Sequence, residues 1–243
     1  MIQTLKYIFV AFIVLCWFDG ATQIMNSWQT YNQSSNRLEG KLQGEIYFLS
    51  SLANNNFFLQ KDWVTGSITL TDGDVFENIK LRYMAFGDEL VAYNDNVRTL
   101  FIVEKKTVKQ FTFKTADIGS NVQRKFVNLD SLNLTGGKSY FEELYDGSAK
   151  LLAYHFVNEL KVTPYTDNAG VMRDTEYKAA VNYFMLTHKN ELFRIQRKKA
   201  SFYKIFPEHK KEIRKLFRKN RIILIEQNSL IQAFSLLDDA GIL

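Results

Sequence analysis

The chain has 243 residues and a net charge of +5, from 31 Lys and Arg against 26 Asp and Glu. With 46% hydrophobic residues it can bury a sizeable core in one large or two small domains. Phe (20) and Tyr (12) dominate the aromatic residues and Pro (2) is scarce, a balance that favours β-strands. The single cysteine excludes an intramolecular disulfide.

The first 22 residues have the pattern of a secretory signal peptide. Lys6 gives a positive start, residues 7–18 form an apolar run, and the small residues 20–22 follow. Because a membrane-spanning helix needs about 20 apolar residues, this run is too short to span a bilayer. We predict cleavage after Ala21 or Thr22, which leaves no transmembrane segment in the mature chain. An uncleaved N-terminal anchor is the alternative.

Cys16 lies inside this apolar run. A lipoprotein signal places a small residue just before its cysteine, and Leu15 occupies that position here, which disfavours lipidation. After cleavage the mature chain contains no cysteine, so disulfides, thiolate metal sites and thiol catalysis are excluded. The sequence therefore predicts an exported protein that its core alone holds together.

The clearest structural pattern runs from residue 63 to residue 95. Ile68 and Leu70 alternate with polar residues, and the turn dipeptide Asp72-Gly73 follows. The next strand is predicted to bury one face, consisting of Val75, Ile79, Leu81 and Tyr83. Its exposed face is predicted to consist of Asn78, Lys80 and Arg82. Further turns at residues 87–88 and 94–96 predict an antiparallel meander.

Alternation and turn residues predict more strands as far as residue 197. These strands are residues 97–103, 108–113, 125–129, 140–145, 150–162, 177–186 and 192–197. Asp146-Gly147 and Lys189-Asn190 are predicted hairpin turns, and residues 163–174 a long loop. Upstream, residues 23–45 are mostly polar and without periodicity, which predicts a flexible N-terminal segment.

Residues 200–243 change to helical periodicity. One stripe of a helix is formed by Phe206, Ile213, Leu216 and Phe217. Pro207 is predicted at the first helical position and Asn220 as a left-handed C-cap. A last helix is predicted over residues 230–240, closed by Gly241. We therefore predict a mainly β protein: an antiparallel meander, barrel-like or roll domain over residues 46–199, with a small C-terminal α-helical subdomain.

Several short motifs resemble those of a known group of proteins. They are Trp63-x-x-Gly66-x-Ile68-x-Leu70-x-x-Gly73, Asn78-x-x-Leu81-x-Tyr83, Phe141-Glu142-x-Leu144-Tyr145-x-Gly147, and a Lys-rich stretch before Phe206-Pro207. Over residues 60–240 the chain resembles uncharacterised secreted proteins of Bacteroidota-type bacteria. The resemblance implies a location in the envelope of a Gram-negative cell, in the periplasm or at the outer-membrane periphery. It implies no activity.

The sequence contains no pattern typical of a metal site. The three histidines, His155, His188 and His209, lack the i, i+4 spacing of a helical zinc pair. Asp72-Gly73-Asp74 and residues 94–96 are rich in oxygen ligands but lack the EF-hand spacing, and hairpin turns explain both. We predict no metal ion and no cofactor.

The sequence also lacks the motifs of common catalytic chemistries. It contains no Gly-x-Ser-x-Gly elbow, no phosphate-binding loop and no dinucleotide fingerprint. Glu142 and Glu143 are adjacent on a predicted strand, so their side chains point to opposite faces and cannot form an acid–base pair. We predict no catalytic residue, although a glycan-processing enzyme stays as a second alternative.

The unusual feature is the charge of residues 188–221. They contain 13 Lys and Arg against 3 Glu, a net charge of +10, which leaves −5 for the rest of the chain. A solvated helix face explains this simply. The sharper interpretation is a binding face for an anionic partner, and its candidate residues are Lys198, Lys199, Lys211, Arg214, Lys215 and Arg218.

The predicted function follows from these points. The leading interpretation is an exported, non-enzymatic envelope protein with a binding or scaffolding role. The alternative is a binder of anionic envelope components through the basic face of residues 188–221: lipid head groups, lipopolysaccharide or an acidic protein. Nucleic acid fits the charge but not the export signal.

Overall fold

The computed structural model describes residues 28–31, 41–48, 55–96, 98–114, 123–130, 137–168 and 170–243. The predicted signal peptide, with Cys16 and both cleavage positions, lies outside them. The strands are β1 (Trp28–Tyr31), β2 (Leu42–Ile46), β3 (Val64–Leu70), β4 (Val75–Met84), β5 (Glu89–Asn94), β6 (Thr99–Val103), β7 (Val108–Lys114), β8 (Gln123–Asp130), β9 (Lys138–Asp146), β10 (Ala149–Thr166), β11 (Met172–Thr187) and β12 (Leu192–Ile195). The helices are α1 (Lys199–Ile205), α2 (Lys210–Lys219) and α3 (Gln227–Asp239).

These strands form one open antiparallel sheet. Their order is β1-β2-β6-β5-β4-β3-β7-β8-β9-β10-β11-β12, so β1 and β12 lie at the two ends. Most neighbours in the sheet are also consecutive in the chain, as expected for hairpins joined by short turns. The prediction of a mainly β, antiparallel fold followed by C-terminal helices is confirmed.

The first core is rich in aromatic residues. It is formed by buried side chains of β3–β8 and of the strands next to them in the sheet. Phe111 and Phe126 stack with their ring centroids 4.8 Å apart, and the Tyr83 ring lies 5.3 Å from Phe126. Phe113 is also fully buried, in the same cluster as Phe111. The first core thus joins β4 to β7 and β8, because Tyr83, Phe111 and Phe126 pack into one cluster.

The predicted faces of β4 are correct only after a bulge. Ile79, Leu81 and Tyr83 are fully buried as expected, but Val75 is exposed and Phe76 is buried instead. The pairing of β3 with β4 shifts by one residue between these positions, and Asn78 takes a positive φ of 58° there. A bulge reverses the side-chain alternation, so the period of two does not extend across it.

Arg82 was predicted to be exposed and is buried. Its guanidinium lies 3.8 Å from the centroid of the Phe58 ring, and Nη2 donates a hydrogen bond to the Gln60 carbonyl at 3.1 Å. The segment before β3 covers this face of β4, so the arginine packs against an aromatic ring instead of water. Lys80 remains exposed, as predicted.

The predicted loop over residues 163–174 is mostly sheet. Strand β10 continues to Thr166 and β11 begins at Met172. In the turn between them the Asp167 N–H donates to the Val171 carbonyl, and the Val171 N–H donates to the Asp167 carboxylate. The register of the pair shifts between Lys161 and Tyr165, which accommodates Pro164. Proline lacks the N–H that a strand ladder needs, and a bulge is where a sheet tolerates it.

The segment of residues 23–45, predicted to be flexible, contains two strands. Trp28–Tyr31 forms β1, and Leu42–Ile46 forms β2, which pairs with both β1 and β6. Leu42 is fully buried in the first core. These strands are too short and too polar for alternation to reveal them, and pairing with a neighbouring strand stabilises them instead.

The second core holds the C-terminal helices against the sheet. Phe202, Phe217 and Phe234, one from each helix, are fully buried. They pack with residues of β10–β12 such as Leu151 and Ile195. The helical region is therefore one continuous cluster with the last three strands of the sheet.

The helix predicted to begin at Pro207 begins three residues later, as α2, and a further helix, α1, precedes the proline. Helix α1 ends at Ile205, Pro207 lies in the turn that follows it, and α2 begins at Lys210. Asn220 is not left-handed, since its φ is −93°, and Arg221 has the positive φ of 53° instead. The last helix is confirmed, and Gly241 closes it at a φ of +66°.

Candidate functional site

A cleft of about 520 Å³ opens where α1, α2 and the loop after α2 meet. Its lining residues are Lys199, Tyr203, Arg214, Phe217, Arg218, Arg221, Ile222 and Ile223. We call this the basic cleft. Its position follows from the turn at residues 206–209, which brings α2 beside α1 so that Phe217 contacts Phe202.

Four cationic side chains surround the basic cleft: Lys199, Arg214, Arg218 and Arg221. All four residues are exposed to solvent. Within the described part of the chain, none of them forms an ion pair with a carboxylate; the nearby pair of His209 and Glu212, 3.2 Å apart, lies outside the cleft. Clustered cations without counter-charges favour an anionic ligand.

An aromatic side chain lies among these charges. The Tyr203 ring has the Arg214 guanidinium 6.0 Å from its centroid and the Lys210 ammonium at the same distance. Such contacts orient a long cationic side chain without neutralising it. Beneath, Phe217 is fully buried edge-on to Phe202, with ring centroids 5.4 Å apart, so the floor of the cleft is apolar and belongs to the second core.

The structure divides the predicted binding residues between two places. Lys199, Arg214 and Arg218 line the basic cleft, whereas Lys198 precedes α1 and lies outside its lining. Lys211 and Lys215 are exposed on α2 and also outside the lining. The helix orientation is as expected, because Ile213 and Phe217 are buried and Leu216 is half-buried.

Two polar residues of the cleft were not predicted. Arg221 lies just after α2, in the same run of positive charge, and it lines the cleft. Its neighbour Ile222 is buried. Tyr203 could not be found without α1, which has no amphipathic stripe long enough to recognise in the sequence. A count of charge along the chain finds the segment but not the concave side of it.

No known protein-family model matches this chain, and no solved structure matches it. The resemblance to secreted proteins of Bacteroidota-type bacteria stays a prediction. What the basic cleft binds must therefore be inferred from its own charge, shape and surroundings.

A second polar cluster is buried in the sheet and includes Glu142. Arg124 on β8 donates two hydrogen bonds to this carboxylate, at 2.6 and 2.7 Å, and His155 Nε2 on β10 lies 2.6 Å from it. Burial alone raises the pKa of Glu142, but these bonds outweigh it and lower the pKa to about 2. The charged carboxylate therefore links the side chains of three neighbouring strands, β8, β9 and β10.

Glu143 has different partners, as its opposite direction on the strand predicts. Lys125 and Lys150 hold it at 2.7 and 2.8 Å. The two adjacent carboxylates therefore lie in separate ion-pair groups, and neither is aimed at the other as an acid–base pair would require.

Asp88 is a second buried carboxylate. It accepts hydrogen bonds from the Tyr83 hydroxyl at 2.7 Å and the Lys105 ammonium at 3.0 Å, and from the Tyr140 backbone N–H at 3.3 Å. Burial raises its pKa, and these partners lower the size of that shift. Its bonds connect β4, β9 and the turn before β7, so Asp88 stabilises the packing of these three parts of the fold.

The oxygen-rich turns have cationic partners. Lys41 forms ion pairs with both Asp72 and Asp74, and Lys80 pairs with Asp95 at 2.8 Å. Among the described residues, no group of three or more His, Cys, Asp and Glu side chains is arranged to hold a metal ion. Within the same residues, no helix is both long and apolar enough to span a bilayer.

Proposed function

We propose that this is an exported, non-enzymatic binding protein of the cell envelope, and that the basic cleft binds an anionic envelope component. The observation that supports the proposal is the convergence of Lys199, Arg214, Arg218 and Arg221 on one concave site. Arginine matches carboxylate and phosphate groups with two parallel N–H donors, so three arginines suit a multiply charged head group.

The strength of the expected binding follows from the number of charges. Each cation near an anionic membrane surface contributes about 1 kcal/mol, so four contribute about 4 kcal/mol, which corresponds to a dissociation constant of about 1 mM. Attachment of both helices to the second core favours binding further, because it reduces the backbone ordering that a ligand would otherwise have to impose. Charge alone therefore predicts a weak, salt-sensitive association.

A protein partner is the second candidate, and the long β10–β11 hairpin favours it. Its distal part exposes Leu160, Tyr165, Val171 and Met172. A projecting hairpin with apolar side chains is a feature of surfaces that meet other proteins. A scaffolding role would use this hairpin and would not require the basic cleft.

Vesicle binding tests the proposed function. We expect the protein to sediment with vesicles that contain phosphatidylglycerol, but not with phosphatidylcholine alone. Replacement of Arg214 and Arg218 by serine should weaken binding by about 30-fold, because each lost charge removes about 1 kcal/mol of binding free energy. Binding should also fall with added salt, because the screening length shrinks from about 10 Å at 0.1 M to about 3 Å at 1 M.

The control is a matched pair of charges on the same helix. Lys211→Ser with Lys215→Ser removes the same charge from α2 but leaves the cleft lining intact. We expect this variant to retain most of the binding. Equal losses in the two double variants would indicate a diffuse electrostatic face, and no binding by the unmodified protein would overturn the proposal.

A further inference from the structure

The basic cleft has an apolar side as well as a cationic one. Ile222 lines it and is buried, and Ile223 lines it with most of its side chain exposed. Ile225 follows two residues later and is 69% exposed, while Leu224 between them is buried. Ile223 is thus exposed to solvent among the arginines of the lining, and Ile225 is exposed two residues further along the same loop.

The chain holds these isoleucines in place. The Arg197 side chain donates a hydrogen bond to the Ile225 carbonyl at 2.6 Å, and the Ile225 backbone N–H donates to the Ile223 carbonyl at 2.9 Å. Ile222 N–H is bonded to the Phe217 carbonyl at the end of α2. Leu224 and Ile222 anchor the loop in the second core. The exposed side chains therefore belong to an ordered loop.

The charge and the apolar surface together restrict the chemical class of ligand that fits the cleft. A purely ionic ligand would leave the isoleucines in water, and a purely apolar one would leave the arginines without a counter-charge. A cleft of about 520 Å³ is within the range of small-molecule sites, roughly 300–1,000 Å³. It has room for a head group and the start of a hydrocarbon chain.

We propose that the basic cleft binds one phosphate-bearing lipid, with the phosphate between Arg214, Arg218 and Arg221 and the hydrocarbon against Ile223 and Ile225. The inference rests on the proposed function and specifies its ligand. The arginines supply the forked donors that a phosphate accepts. Burial of the isoleucines against hydrocarbon adds the affinity that charge alone does not provide.

Two soluble probes separate the contribution of the phosphate to binding from that of the hydrocarbon. Dihexanoyl phosphatidic acid, used below its micelle-forming concentration, carries phosphate and short chains, and glycerol 3-phosphate carries the head group alone. Isothermal titration should show that the unmodified protein binds the lipid at least about tenfold more tightly than glycerol 3-phosphate. Ile223→Ser with Ile225→Ser should remove that difference and leave glycerol 3-phosphate binding unchanged. Both isoleucines are exposed, so this variant is expected to fold.

The charge variants complete the test. Arg214→Ser with Arg218→Ser should weaken binding of both probes, and Lys211→Ser with Lys215→Ser should weaken neither. Equal affinity for the two probes, or a lipid preference that survives the isoleucine changes, would overturn the inference. If anionic vesicles bind but neither soluble probe does, the inference fails while the proposed function stands. If vesicles fail as well, both are wrong.

Discussion

Replacement of Arg124 by methionine is expected to lower the free energy of unfolding by about 3–5 kcal/mol, as measured by denaturant unfolding at neutral pH. The Glu142 carboxylate is almost fully buried and receives two hydrogen bonds from this one guanidinium. Without them, only His155 remains within hydrogen-bond distance among its described partners. The cost arises mainly because a buried charge loses its counter-charge.

The same variant should change how stability depends on pH. The pKa of Glu142 is about 2 in the folded protein against an ordinary value of 4.5, so its stabilisation is present above pH 4.5 and is lost as the pH falls toward 2. Asp88 acts in the opposite direction, because burial raises its pKa and protonation relieves the cost of a buried charge. We expect the acid-induced loss of stability to be shallower in the Arg124 variant.

Lys125→Met is the matched control on the same strand. Lys125 pairs with Glu143, which keeps its ion pair with Lys150 at 2.8 Å when Lys125 is removed. The loss of stability should therefore be clearly smaller than for Arg124→Met. Similar losses in the two variants would contradict the view that the Glu142 cluster ties the three strands together.

Leu81→Ala is expected to cost about 2–5 kcal/mol of unfolding free energy. Leu81 is fully buried on β4, between Val64 of β3 and Ala92 of β5. It covers Gly66, where an added Cβ would come within 2.9 Å of Leu81 Cδ1 and 2.1 Å of the Thr112 carbonyl oxygen. Alanine cannot fill that space, and the close strand pairing prevents the backbone from collapsing into it.

The neighbouring residue provides the control for this prediction. Lys80→Ala changes an exposed side chain on the same strand, whose described partners are Asp95 and the Tyr93 ring. It should change the denaturation midpoint much less than Leu81→Ala. A loss below about 1 kcal/mol for Leu81→Ala would contradict the strand register.

The strands that could be predicted from the sequence are those bounded by recognisable turn dipeptides. Asp72-Gly73 and Asp146-Gly147 separate alternating runs, and the structure has turns at both. Asn78 shows the limit, because its positive φ and the bulge that it permits leave no periodic trace. Arg82 shows another: its burial depends on Phe58, which tertiary packing brings over β4.

The candidate site was predictable as a segment and not as a cleft. The net charge of residues 188–221 identified Lys199, Arg214 and Arg218. It could not separate them from Lys211 and Lys215, because that distinction depends on how α2 packs beside α1. The break between the helices places only some of the cations on the concave side.

The location of a bound anion tests the basic cleft most directly. In NMR spectra of the labelled protein, titration with glycerol 3-phosphate should shift the side-chain Nε–Hε signals of Arg214, Arg218 and Arg221 with one shared dissociation constant. Arg173 lies in the β10–β11 hairpin, where it forms an ion pair with Asp167 at 2.9 Å, and its signal should not shift. Shifts spread evenly over all arginines, or glycerol 3-phosphate binding without shifts of these three signals, would contradict an anion site in the basic cleft.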